Sequence, residues 1–237
     1  MGASINMNWA VIFAGGTGSR MHIKTPKQFL IVCGKPILIH TIERFQESEQ
    51  IDRIVVVTLR RYVSKVESLV REFHLGKVCK VLEGGSTAFE SQIKGIEYVY
   101  SQSSNGDDIV LIHDGVRPLV DSSLINECVQ KTVECGNAVT VTPTVETTAI
   151  VQGNGEIAQT FPRERCVIVR APQVFRLSSV YAYHQKALRE EKTYIDTASM
   201  FLDNGQRLYP IVGPVENIKV TTKFDYLLLK KIIGSRK

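Results

Sequence analysis

Two unbroken β-branched runs, "AVIF" (10–13) and "IVVV" (54–57), set the character of the chain. Runs of that kind suit strands buried on both faces of a parallel sheet, where no alternate position has to meet water. Between them Ile37, His40, Thr41, Arg44 and Phe45 fall in helical register. After the second run Val63, Val66, Leu69, Val70 and Phe73 recur at threes and fours, the stripe of an amphipathic helix. "KVCKVLEGG" reads as a third strand ending in glycines, and "STAFESQIKGIEYVYSQ" as a helix with Ser86 or Thr87 at its N-cap and Glu90 close behind. "DIVLIHDG" (108–115) is a fourth strand. "DSSLINECVQKTVECG" is a helix capped by Asp121 and stopped by Gly136, and "AVTVTP" a fifth strand.

Strand–helix alternation of this sort predicts an α/β fold, a Rossmann-like and mostly parallel sheet with helices on both faces. Ligands in such sheets bind beyond the carboxyl ends of the strands. Gly15–Gly18, Gly84–Ser86 and His113–Arg117 all stand at such ends and are expected to converge on one crevice. The pattern changes across residues 143–170, where "TTAIVQGNGEIAQTF" reads as two short strands around a "GNG" turn, a β-hairpin arm protruding from the core. Helices return at "LSSVYAYHQKALREE" and "DTASMFLDNG", a strand at "RLYPIVG" and a last helix near "KFDYLLLKKII". Residues 7–237 are expected to form one domain, with 143–170 as its arm.

The first strand runs into "AGGTGSRMHIKTPKQF". Glycines packed behind a strand let backbone N–H groups close on a phosphate. The P-loop pattern is absent, since no Gly-Lys-Ser/Thr follows. The dinucleotide pattern fails at its third glycine, where Met21 stands. A nicotinamide enzyme would also close its second strand with an acid to hold the ribose, whereas "VVVTLRR" ends in Thr58 and two arginines. A net charge of +5 on 237 residues suits a small anionic substrate and is too weak to argue for nucleic acid. Five cysteines without a C-x-x-C pair read as reduced thiols of a cytoplasmic protein. No signal peptide and no apolar run near the ~20 residues of a membrane span is present, so no membrane partner is expected.

Taken together, "AGGTGSRM", "PKQF", "EGGSTAFES", "IHDGVRP", "APQVF" and "ENIKVTT", in that order, resemble the CTP-dependent cytidylyltransferases that act on methylerythritol phosphate or on sugar-alcohol phosphates such as ribitol 5-phosphate. The resemblance runs from about Trp9 to the last helix. It implies that Ala14, Gly15, Gly16, Gly18, Arg20 and Lys27 hold the CTP triphosphate, with Lys219 a third cation on the phosphates. Gly85 and Ser86 would present backbone groups to the base and Ser91 would contact the ribose or cytosine side. Ala88 stands where many members carry arginine. Asp114 is the best-placed carboxylate for the Mg²⁺ that accompanies a triphosphate. His113 is assigned no role. Such a transfer needs no covalent protein nucleophile, so positioning and fixed cations carry the catalysis. A non-catalytic nucleotide sensor of this fold would be expected to lose Arg20, Lys27 or Asp114, and all three are present.

On the acceptor side the family pattern places Arg117 and Lys219 on the acceptor phosphate, joined by Thr147 and Arg163 from the hairpin arm of a neighbouring subunit. A hairpin is marginal alone, so pairing of two arms in a homodimer is expected to bury it. Three positions depart from the methylerythritol phosphate enzymes: "APQ" replaces "TPQ" at Ala171, "DGVRP" replaces "DAARP" at Gly115, and "IDTAS" keeps Asp196 but loses a second acid. These read as changes on the acceptor side and favour a straight-chain polyol phosphate, ribitol 5-phosphate first, over methylerythritol phosphate.

Overall fold

A strand apolar on both faces is stable only where helices cover both sides, and the chain puts its β-branched runs there. The computed structural model describes residues 6–16, 25–104 and 106–235. Its central sheet has seven strands. β1 (Asn8–Ala14) lies between β4 (Arg53–Thr58) and β6 (Ile109–Asp114), with β5 (Val78–Glu83) beyond β4, all parallel. On the other side β10 (Val167–Arg176) runs antiparallel to both β6 and β7 (Asn137–Pro143), and β11 (Pro210–Val212) closes the edge parallel to β7. β10 is thus the one strand opposed to its six companions in the sheet.

Helices α1 (Ile37–Glu47), α2 (Val63–Glu72) and α4 (Ser122–Cys135) cover one face. Helices α3 (Ala88–Gln102), α5 (Leu177–Arg189) and α6 (Thr197–Asp203) cover the other. Local chemistry fixes their ends. Thr87 accepts the Glu90 N–H at the start of α3, so the N-cap is Thr87 rather than Ser86. Asp121 caps α4, and Gly136 ends it at φ 87°, in the left-handed region that glycine enters at no steric cost. Asp196 caps α6.

Two features were not legible in the pattern. Residues 31–36 form a small hairpin, β2 (Ile31–Val32) with β3 (Lys35–Pro36), turned by Cys33 and Gly34, both at positive φ. Against it pack the last helix, α7 (Lys223–Ser235), and Val220. The stretch 143–170 is also not wholly an excursion. β8 (Thr148–Val151) and β9 (Ile157–Phe161) pair as a separate, exposed ribbon, but from Val167 the chain already runs along β7 as part of the main sheet. The "GNG" turn is as read, with Gly155 at φ 87°. Among the described residues no helix is long and apolar enough to cross a membrane, and the five cysteines are free thiols.

His184 on α5 is fully buried against Phe89 and gives one ring nitrogen, Nδ1, to the Val180 carbonyl, leaving Nε2 without a partner. Burial pushes its pKa down to about 4 from the usual 6.5. A lowered imidazole pKa gives stability that is full above 6.5 and is lost as pH falls towards 4, because the unfolded chain takes the proton first. The loss amounts to ~3 kcal/mol. We expect His184→Leu to reduce the pH slope of unfolding free energy by about one proton across that window in urea titrations. An unchanged slope would show that this histidine does not carry the acid sensitivity.

Candidate active site

The carboxyl end of β1 is held open by side chains from two neighbours. Ala14 offers its carbonyl to Gln28 Nε2 at 2.9 Å and to the Thr58 hydroxyl at 3.2 Å. Beyond it Gly15 faces open space. Gly16 lies under the Lys27 side chain, where a Cβ would come within 3.2 Å of Cε. Lys27 starts a single 3₁₀ turn, Lys27–Phe29, and is nearly buried. Its amine is thus laid across the glycine backbone, the arrangement a phosphate cradle requires. Gly18 and Arg20 lie outside the described residues.

The loop after β5 is closed on itself. Gly85 N–H donates to Ser91 Oγ at 3.0 Å, and that hydroxyl donates to the Thr87 carbonyl. Ser86 N–H donates to Glu90 Oε2 at 2.7 Å, and the Ser86 hydroxyl also bonds that carboxylate. In this structure the Gly85 and Ser86 N–H groups and the Ser91 hydroxyl proton are engaged inside the loop, so of the backbone groups expected at a base the carbonyls of Gly85 and Ser86 are the ones left over. The physical reason is that Glu90 and Ser91 stand one turn into α3 and reach back to the orphan donors of its N-terminus. All three residues nevertheless line the pocket.

At the end of β6 lies a charged cluster. Asp114 Oδ1 meets Lys219 Nζ at 2.6 Å, and Oδ2 meets Arg117 Nη2 at 3.2 Å and Nε at 3.3 Å. Burial pushes this carboxyl up, but Lys219 and Arg117 outweigh it and hold it below the usual range. Arg117 is buried and also donates to the Asn217 carbonyl at 2.6 Å. The Asp114 carboxylate is thus engaged by a cation on each oxygen, and among the described residues no three His, Cys, Asp or Glu side chains gather as a metal cage. Mg²⁺ held by Asp114, as expected from the resemblance, would have to share the carboxylate with these two cations. His113 is buried against Phe45, hydrogen-bonds the Arg117 carbonyl at 3.0 Å and has its pKa pushed down by burial to about 4, a structural, neutral imidazole.

These groups surround one cavity of about 640 Å³. Ala14, Gly15, Gly16, Lys27, Gly85, Ser86, Ser91, Asp114, Arg117 and Lys219 all line it, so the strand ends converge as expected. Thr147 and Arg163 do not; both are exposed on the arm segment, away from the cavity of their own chain. Sequence reasoning missed Arg170, Gln173 and Ile195, which also form the wall. Arg170 directly precedes "APQ", but nothing in the pattern signalled that this stretch was a strand bordering the pocket.

A family model describing 2-C-methyl-D-erythritol 4-phosphate cytidylyltransferase (IspD) matches residues 8–235. The chain belongs to the IspD family. It is 41% identical over 232 residues to a ribitol-5-phosphate cytidylyltransferase of Streptococcus agalactiae, covering 97% of each chain. It is 36% identical to a protein of the same name from Vibrio parahaemolyticus, over 97% of each chain. A 2-C-methyl-D-erythritol 4-phosphate cytidylyltransferase of Clostridium novyi is 32% identical, over 98% of this chain and 99% of that one. Among solved structures, the 4-diphosphocytidyl-2C-methyl-D-erythritol synthase of Anaerococcus prevotii superposes with a TM-score of 0.83 at 23% identity, over 97% and 96% of the two chains. That match bears on the fold: a mostly parallel sheet of IspD type.

Within an IspD-type site the departures at Ala171, at Gly115 and beside the retained Asp196 separate. Ala171 and Asp196 border the cavity. Gly115 does not: its missing Cβ would point into the core, 2.9 Å from Leu38 Cδ1 and 3.0 Å from the Phe13 carbonyl. Gly115 is therefore a packing residue that makes room for Leu38, and its reading as an acceptor contact is corrected. Gly115→Ala is expected to cost ~1–3 kcal/mol through overpacking, and Leu38→Val in the same chain to recover part of that loss. Urea unfolding of the two variants checks it; equal destabilisation with and without the Leu38 change would refute the packing account.

Proposed function

We propose that the protein transfers the cytidylyl group of CTP to the phosphate of a sugar alcohol, ribitol 5-phosphate first, giving a CDP-alditol and pyrophosphate. A phosphate oxygen of the acceptor attacks the α-phosphorus of CTP. The bond from that phosphorus to the bridging oxygen breaks, and pyrophosphate leaves with the electron pair. The observation that carries this reading is a single cavity lined both by a glycine cradle with Lys27, beyond β1, and by the Lys219–Asp114–Arg117 cluster, at the end of the adjacent β6. The cradle suits a triphosphate and the cluster a phosphomonoester. Arg20 and Lys27 would stabilise the departing pyrophosphate and Lys219 the charge at the point of transfer, each worth on the order of 3 kcal/mol in the transition state. Magnesium, whose chemistry is to neutralise the polyphosphate, would be carried by the nucleotide's own oxygens.

Ribitol 5-phosphate is favoured by the names of the 41% and 36% identical relatives and by Ala171, which removes a hydroxyl from the acceptor wall. The second reading, methylerythritol phosphate as acceptor, is favoured by the family model and the 32% identical relative. Free cysteines and the nature of both substrates suit a cytoplasmic enzyme, and a CDP-polyol would feed surface polymers such as teichoic acid.

Pyrophosphate release with CTP and magnesium, comparing the two acceptors side by side, tests the proposal. Ribitol 5-phosphate is expected to give a kcat/KM at least ~10-fold higher. Turnover with methylerythritol phosphate alone would return the enzyme to isoprenoid synthesis, and silence with both would reject either acceptor.

The arm supports a homodimer in which each chain lends Thr147 and Arg163 to its partner's acceptor site. Ile150, Val151, Ile157 and the adjoining Val167, Ile168 and Val169 leave an apolar surface exposed on the single chain. Sedimentation should give a dimer, and Arg163→Ala should raise the acceptor KM while leaving that for CTP within twofold. A monomer of full activity would rule out the lending of residues.

A further inference from the structure

β10 does not run evenly along β7. Val169 pairs with Val141, yet Gln173 pairs with Val139, so Arg170–Pro172 bulge from the ladder. The bulge brings Arg170 to the cavity wall. Its Nε donates to the Thr142 hydroxyl at 2.8 Å and Nη1 to the Asn217 carbonyl at 3.1 Å. Arg117 Nη1 donates to the same carbonyl at 2.6 Å, so two guanidinium groups stand side by side on one oxygen. Arg117 has Asp114 as its counter-ion, whereas among the described residues Arg170 has no carboxylate partner. Asp114 faces two cations, Lys219 and Arg117, and with Arg170 beside Arg117 the cluster carries a net charge of +2.

Two like charges, one buried and one partly buried, repel one another, and the Arg117 guanidinium is made more acidic by burial and by Arg170 despite its counter-ion. Such a pair persists where an anion bridges it or the surrounding bonds over-determine it. Here the bonds hold Arg170 through Nε and Nη1, one donor from each edge of its fork, and the Nη2 group between them has no hydrogen bond among those made by the described residues. A planar guanidinium fixed at Nε and Nη1, with both N–H groups of Nη2 left over, is preorganised to donate to a phosphate.

We propose that Arg170 binds the acceptor's phosphomonoester and, with Lys219 and Arg117, forms a dianion site inside a single subunit. The inference rests on the reading of the reaction above and names a residue of that site. The site holds the attacking phosphate before any residue arrives from a partner's arm. It also sets the acceptor class, since it selects a terminal phosphate dianion whatever polyol follows, while the Ala171 wall beside it meets the carbon chain.

Steady-state kinetics of Arg170→Met and Arg170→Lys, with melting temperature as the control for folding, test the proposal. Loss of a charge-assisted contact is expected to raise the acceptor KM of Arg170→Met about 10- to 100-fold. The KM for CTP should stay within twofold. Arg170→Lys should recover part of the loss, because it keeps the charge without the fork. An unchanged acceptor KM, or equal effects on both substrates, would overturn the assignment. A wild-type enzyme silent with both acceptors would defeat the reading of the reaction, yet leave Arg170 testable through ³¹P NMR titration with inorganic phosphate. In that titration the wild type should bind phosphate at least tenfold more tightly than Arg170→Met; equal binding would overturn the role of Arg170.

Discussion

A carboxylate held between two cations ties the end of the chain to the middle of the sheet. Asp114 closes β6, Lys219 reaches it from the C-terminal segment, and Arg117 reaches it from the turn that follows. Around that contact the backbone is stitched in parallel: Val220 N–H donates to the Val116 carbonyl, Arg117 to the Asn217 carbonyl, and Asn217 Nδ2 to the Ala171 carbonyl. Three segments distant in sequence meet there, and all three line the site. Removing the carboxylate would leave Lys219 and a buried Arg117 uncompensated, a change of the kind that costs ~3–5 kcal/mol. The fold and the proposed phosphate chemistry draw on the same charge.

The two parts of the cavity lining are built on different physical terms. On the proposed reading the determinants at the triphosphate side are backbone and glycine, because a polyanion is best met by N–H groups and one fixed amine. At the acceptor side they are side chains on the bulged part of β10, on the start of α6 and on the C-terminal segment. Side chains change by single substitutions without moving a strand, so this side can vary among relatives whose sheet superposes closely. Ala171 is such a change. Gly115 is not, for its partner is Leu38 in the core.

The parallel strands and their helices were legible because burial on two faces leaves continuous apolar runs, and because Asp121, Gly136 and the Ser86–Glu90 stretch punctuate helix ends by known chemistry. The ordered glycine, acid and cation motifs were legible as one site for the same reason: strand ends in such a sheet share an edge. Three things were not. The β2–β3 hairpin is too short to have a period. β10 carries "VIVR" and "QVF" on either side of a proline, and Pro172 within a run argues against a central strand; the bulge that accommodates it is a tertiary feature. The capture of the Gly85 and Ser86 amides depended on which rotamers Glu90 and Ser91 adopt, which spacing alone does not settle.

β10, the antiparallel strand, has a topological effect of its own. β7 runs towards the edge of the sheet where the cavity lies, and β10 starts back from that edge. Everything between them is therefore inserted at the rim of the reaction chamber, with both its ends anchored in one ladder. Residues can be added to or removed from this loop without shifting the register of any strand, while its base stays fixed beside the cavity. The sheet thus provides a socket for exchangeable attachments, and the ribbon of β8 and β9 is the one this chain has fitted.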